Sequence, residues 1–362
     1  MASLAGQRAA SMAPMTPDDP SSRRYDDLTP QAVLQALDAV GLHGDGRVLQ
    51  LNSYENRVFQ VFLEDGSAVV AKFYRPGRWR DEQILEEHAF ALELAAEEVP
   101  VVAPCLLRPE ACIDGMVTLA GEPPTLARLQ LGGQAHRFAV SPRCAGREPE
   151  LEDPEVLRQI GRFLGRLHAV GARKPFSHRT TLEPGAVGER VRRVLLQGGH
   201  LPEDLRAAWD TASQAALQAV GDAFEALPGR ALLRLHGDCH LGNVLWRNGA
   251  PHVVDLDDAC NGPAVQDVWM LVSGDASTMA QQLGWLLEGY EQFRRFDRRE
   301  LSLIEPLRTL RMLHHSAWVA ERWSDPAFPA SFPWFGTPAY WSQQVTQLRE
   351  QLSAMAEPPI QT

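Results

Sequence analysis

The sequence predicts an α+β fold in two lobes: a small antiparallel sheet carrying a helix, followed by a larger and mainly helical lobe. Three observations carry the prediction. The 362 residues exceed the length at which a single core usually stops growing. Apolar and polar residues alternate on both sides of Asp65-Gly66, a hairpin dipeptide. From Asp153 onward the apolar residues recur mostly at helical spacing.

The elements follow in order. Residues 1–24, rich in Ala, Ser, Pro and Met and without an apolar core, read as a disordered tail and not as a signal peptide. LTPQAVLQALDAVG places Leu28, Val33, Leu37 and Val40 at helical spacing, with Thr29 as N-cap, Pro30 at the first position and Gly41 as stop. RVLQLNSYENRVFQVFLEDGSAVVAKFYRP then predicts an antiparallel hairpin. DEQILEEHAFALELAAEEVPV predicts a helix with Ile84, Glu87, Ala91 and Leu94 on one face, ended by Pro100. MVTLA and HRFAVS read as short strands, and the Gly/Pro/Gln-rich stretch Gly121 to Gln134 between them as a surface insertion. The N-terminal lobe is thus expected over 25–141, a hinge over 142–150 and the C-terminal lobe over 151–362. That lobe opens with DPEVLRQIGRFLGRLHAVG, whose apolar face is Ile160, Leu164 and Leu167. The Trp- and Phe-rich segment HHSAWVAERWSDPAFPASFPWFGTPAYW is expected to serve packing and rigid loops.

Composition excludes several classes. A formal net charge of -11 argues against general nucleic-acid binding, which needs clustered Lys and Arg, and leaves room only for a local basic patch. No apolar run approaches the roughly 20 residues that span a bilayer. Five cysteines without regular spacing suggest reduced thiols in a cytoplasmic protein, expected as a monomer.

The segment HGDCHLGNVLW, residues 236–246, concentrates the chemistry. Zinc ligation by His236, Cys239 and His240 fits none of the usual ligand spacings. A plain tight turn before VLW is the bland reading. Phosphoryl transfer accounts for more of the sequence, because it needs an acid to orient the acceptor hydroxyl and oxygen ligands for a magnesium ion. Asp238 and Asn243 stand five apart, the offset of Asp and Asn in HRDxxxxN, and Asp255 follows twelve residues later, after the strand HVV. Upstream, Lys72 in VVAKFY resembles the lysine of VAIK, with Glu87, or Glu86 as second choice, to hold it. LNSYENRV offers Asn52, Ser53 and Asn56 as turn residues where a Gly-rich phosphate loop would lie. Asp257 and Asp258 are expected to cap the turn after Asp255, with an accessory role at the site as the other choice.

HGDCHLGNVLW, VDLDDACNGPAVQDVWML, LNSYENRVFQV and KFYRPGRWRDEQILEEHAFAL together resemble the RdoA-type bacterial serine/threonine protein kinases. That group belongs to the aminoglycoside/choline phosphotransferase-like branch of the kinase fold, and the similarity runs from about Leu28 to near the C-terminus. It implies a two-lobed protein-kinase-like fold and ATP- and Mg2+-dependent phosphorylation of Ser or Thr hydroxyls on a protein substrate, in a bacterial stress response. It implies further that Asp238 is the catalytic base, that Asn243 and Asp255 bind magnesium with Asp255 also catalytic, that Lys72 binds phosphate, and that Ser53 belongs to the ATP-covering turn. Asp267 would brace the catalytic loop, although a helix-cap role fits its position as well. HGD stands in place of HRD, DLD in place of DFG, and only eleven residues separate Asp255 from Asp267, too few for a long activation segment. The residues alone leave open a small-molecule kinase acting on an aminoglycoside, choline, homoserine or methylthioribose, and a nucleotide-binding scaffold with little turnover.

Overall fold

The computed structural model describes residue 25, residues 27–108 and residues 117–362; the expected tail over 1–24 lies outside them. Helix α1 (Pro30–Asp38) begins where Thr29 Oγ1 accepts a hydrogen bond from the Ala32 amide at 3.2 Å, and Pro30 fills a position whose N–H has no helical partner. Its buried face, Val33, Ala36 and Leu37, covers a sheet. That sheet contains β1 (Gly44–Leu51), β2 (Arg57–Leu63) and β3 (Ala68–Phe73), joined in antiparallel register. Helix α2 (Asp81–Ala96) follows, then β4 (Val117–Ala120), β5 (Leu126–Leu131) and β6 (Gln134–Pro142), giving the order β1-β2-β3-β6-β5-β4.

Strand β5 corrects the expected surface insertion at 121–134. Leu126, Ala127 and Leu129 are buried, and β5 pairs with both β4 and β6. Their short apolar spacing is masked in sequence by the Gly and Pro of the flanking turns, which are all that the composition registers.

The face of α2 carrying Ile84, Glu87, Ala91 and Leu94 is buried as expected. Ile84 packs with Tyr74, Leu126 and Ala139 beside the sheet, while the second half, Phe90, Ala91 and Leu94, joins the core of the helical part, so this helix bridges the two. The helical part contains α3 (Pro154–Gly171), α4 (Pro184–Gln197) and α5 (Glu203–Glu225). Strands β7 (Leu233–Leu235), β8 (Val244–Arg247), β9 (Ala250–Val253) and β10 (Cys260–Gly262) come next, followed by α6 (Ala276–Tyr290), α7 (Ile304–Glu321), α8 (Ala327–Ser331) and α9 (Pro338–Ala356). Asp153 caps α3 through a 2.8 Å bond from the Glu155 amide. Helices α3 and α6 meet backbone to backbone: a Cβ at Gly161 would lie 1.9 Å from the Leu286 carbonyl oxygen, and one at Gly289 would lie 2.0 Å from that of Arg158. Trp341, Phe328 and Phe335 of the aromatic C-terminal segment are buried in a core with Trp209, the packing role expected of them.

Candidate active site

Lys72 lies on β3 between Val58 of β2 and Ala139 of β6. Its Nζ stands 3.1 Å from Asp255 Oδ1 and 3.6 Å from Asp257 Oδ1, and these are its ion pairs among the described residues. The two carboxylates hold the ammonium well above its usual pKa against the opposing effect of burial. Neither sequence candidate from α2 takes that position. Glu86 accepts the amides of Ser177, His178 and Arg179 at 2.5–2.8 Å and so fixes the loop after α3. Glu87 is buried beside the lysine without pairing to it, and burial pushes its carboxyl up to about 7 against the pull of Lys72.

Asp257 requires a correction, because it caps nothing. It is buried, meets Arg78 Nη1 at 2.7 Å and accepts Asn56 Nδ2 at 3.2 Å. Burial opposes its ionisation, but Lys72, Arg78 and Arg179 hold its carboxyl well below the usual range. Asp258 also leaves the expected cap role and pairs with Arg78 Nη2 at 2.5 Å. Asn56 therefore latches the 52–56 turn to Asp257, while Ser53 Oγ accepts the Asn56 amide at 3.3 Å and closes the turn. Asn52 and Ser53 line the same cleft as Lys72. The turn is tied to the helical part by Glu55, which accepts Trp318 Nε1 at 2.6 Å and pairs with Arg322 at 2.8 Å.

The hairpin β8–β9 turns at Asn248-Gly249, both at positive φ, a pairing that suits a tight two-residue turn. Val244 faces Val253, and the Val254 amide donates to the Asn243 carbonyl at 3.0 Å. Asn243 and Asp255 thus stand side by side at the open end of the hairpin. Asn243 Nδ2 donates to the Asp238 carbonyl at 3.0 Å, which leaves its Oδ1 as a potential ligand. The Asp255 side chain is 51% exposed and sits at φ 62°, a left-handed conformation uncommon for a non-glycine residue and concentrated at functional sites. An amide oxygen beside an accessible carboxylate is a donor set that fits a hard divalent cation.

Asp267 acts as the brace and not as a cap. Its buried carboxylate accepts the His236 and Gly237 amides at 2.8 Å each and meets His168 Nε2 at 3.0 Å, while His168 Nδ1 meets the Tyr290 hydroxyl at 3.0 Å. The glycine of HGD now has a physical reason. Gly237 has φ +85°, and a Cβ there would lie 2.1 Å from the Asp258 carbonyl oxygen, so no arginine fits this backbone. The side chains of the zinc hypothesis have other roles. Cys239 is buried in the core, His236 Nε2 meets the Val254 carbonyl at 2.9 Å, and His240 Nδ1 accepts the Gly242 amide at 3.0 Å.

Asp238 carries an ion pair with Arg311 of α7 and stands 3.5 Å from His240 Nε2. Burial would raise its pKa, but Arg311 and His240 lower it below the usual carboxylate value, so the group is a ready hydrogen-bond acceptor. Lys72, Asp238 and Asp255 open onto one cleft of about 1480 Å³, ample for a nucleotide and an acceptor together. Sequence reasoning missed Arg78, His168 and Arg311. The last is distant from every motif, and only its position on a cleft-facing helix reveals it.

Residues 47–304 match the model of the phosphotransferase enzyme family. The chain is 42% identical to the serine/threonine protein kinase RdoA of Salmonella typhimurium over 337 residues, 93% of this chain and 96% of that one. It is equally identical to stress response kinase A of Escherichia coli K12 over 341 residues, 94% of this chain and 98% of that one. Among solved structures, amicoumacin kinase hAmiN in complex with AMP-PNP, Ca2+ and Ami superposes with a TM-score of 0.66 at 19% identity, covering 93% of this chain and 95% of that one. The shared architecture is the two-lobed kinase-like fold.

Proposed function

Because the chain belongs to the phosphotransferase enzyme family, we propose that it moves the terminal phosphate of ATP, with magnesium, to Ser or Thr hydroxyls of a protein during a bacterial stress response. It would do so in the cytoplasm as a monomer. The observation that carries this reading is the convergence of Lys72, Asp238 and Asp255 on one cleft, with Asn243 bonded to the Asp238 carbonyl in the same braced loop. The protein acceptor is supported by the 42% identity to a serine/threonine protein kinase over nearly the whole chain.

Asp238, kept ionised by Arg311, would accept the hydrogen bond of the acceptor hydroxyl and aim its oxygen at the phosphate. Lys72 would turn from Asp255 to the nucleotide phosphates, while Asp257 keeps Arg78 as counter-ion. Asn243 and Asp255 would hold the divalent cation, whose chemistry is to neutralise phosphate charge. The Asn52–Asn56 turn would cover the phosphates from above. Phosphate transfer from ATP to Ser/Thr peptides should be measured beside choline, homoserine, methylthioribose and an aminoglycoside. Labelled peptide, lost on chelation, is the expected result. Turnover of a small hydroxyl compound with inert peptides would overturn the protein-kinase reading.

A further inference from the structure

We infer that the acceptor is an acidic peptide segment, recognised by an arginine-bearing wall that α4 and α7 build beside Asp238. This rests on the protein-kinase reading above. Arg308 and Arg311 stand one turn apart on α7, and Arg190 of α4 lines the same cleft. The charges of the cleft are segregated. Around Lys72 the cleft is lined by Glu55, Glu87, Asp255, Asp257 and Asp258 against Lys72 and Arg78; beside Asp238 it is lined by Arg190, Arg308 and Arg311 against Asp238 and Glu183, with Glu321 and Glu305 set back from the cleft as partners of Arg190 and Arg308. His314 and His315 on the same wall are held neutral, chiefly by burial and then by neighbouring arginines, so the positive charge there belongs to the guanidinium groups.

Each arginine has an intramolecular partner, but none is used up by it. Arg190 meets Glu321 at 2.5 Å, Arg308 meets Glu305 at 3.3 Å, and Arg311 meets Asp238; their side chains are 38%, 32% and 45% exposed. Ion pairs this accessible are screened and exchange readily, and a guanidinium offers five N–H donors, more than one carboxylate occupies. Arg311 is the decisive neighbour, since it touches the group that would orient the acceptor hydroxyl. A carboxylate one to three residues from the acceptor Ser or Thr, at roughly 3.3 Å per extended residue, reaches Arg311 or Arg308, whose Cβ atoms are about 5–6 Å apart at this helical spacing. The chain as a whole carries a net charge of -11 and would repel such a peptide, so recognition must come from this wall.

The test uses three peptides with one serine each, flanked by Asp/Glu, by uncharged residues or by Lys/Arg. The kcat/KM ratio of acidic to basic peptide should be roughly tenfold or more, the scale of one charge-assisted hydrogen bond. Raising the salt concentration should shrink the ratio in the unaltered protein. Arg308→Gln should shrink it at low salt, with Arg308→Lys retaining more of it than Gln. Equal use of the three peptides, or preference for the basic one, would overturn this inference and leave the protein-kinase reading standing. Inert peptides alongside a phosphorylated small molecule would overturn both.

Discussion

Asp267→Asn separates a brace from a bystander. The change is nearly isosteric, yet the carboxylate accepts two backbone N–H groups, one on each oxygen, and one of those oxygens also meets His168 Nε2. Turning the new amide toward His168 leaves the His236 N–H facing an NH2 group; turning it the other way does the same to the Gly237 N–H. Either orientation orphans one buried donor, at a cost of about 1–3 kcal/mol, and strips the charge assistance from the remaining bonds. The sum is about 2–4 kcal/mol. Thermal unfolding should show it as a lower midpoint, and kcat should fall with Asp238 displaced. The KM for ATP should change little, because Asp267 touches no residue of the Lys72 cluster. A variant with the parent's midpoint and turnover would refute the bracing argument.

Asp238→Asn should lower kcat by about 10²–10⁴-fold, the range for a positioned base, whereas Asp255→Asn should chiefly raise the magnesium requirement; a magnesium titration of both checks this, and rescue of Asp238→Asn by magnesium would reverse the assignment. Lys72→Ala should cost roughly 10²–10³-fold in kcat/KM for ATP, the scale of one preorganised charge stabiliser, and near-parental turnover would rule it out. Glu87 has its folded pKa raised to about 7, so its effect on stability is absent below its unfolded pKa. Between there and about 7 the unfolded state ionises first and stability falls, by an amount on the order of 3 kcal/mol. Glu87→Gln should flatten that slope in urea midpoints measured from pH 5 to 8, and parallel slopes would show that Glu87 does not carry it.

What was legible in the sequence was local. Lys72, Asp238, Asn243 and Asp255 occupy short segments whose spacing alone suggests phosphoryl transfer, and the structure brings Lys72, Asp238 and Asp255 to one cleft, with Asn243 bonded to the loop that carries Asp238. The α1 and α3 caps were equally local, since a cap and its amide lie within three residues. Partners chosen by tertiary approach were not legible. Asp257 looked like a cap because nothing nearby in sequence announces that Arg78, 179 residues away, will neutralise it. Glu87 was preferred over Glu86 as the partner of Lys72 only because it shares the apolar face of α2, and neither takes that place, since the loop after α3 takes Glu86 and Glu87 stays buried beside the lysine unpaired. Strand β5 was hidden by its turns, and Arg311 by lying within an otherwise ordinary helix.

The backbone contact between α3 and α6 bears on where this protein tolerates change. His168 and Tyr290, which lead to the Asp267 brace, lie on these two helices, one each. A single methyl group at Gly161 or Gly289 would drive the helices apart and carry that relay with them. In a saturation-mutagenesis screen scored by activity, these two glycines should rank beside Asp238 in intolerance, although they lack functional groups and touch none of the cleft. Sites of inactivation and sites of chemistry would then be different maps of one molecule, and the first would extend into the helix seam.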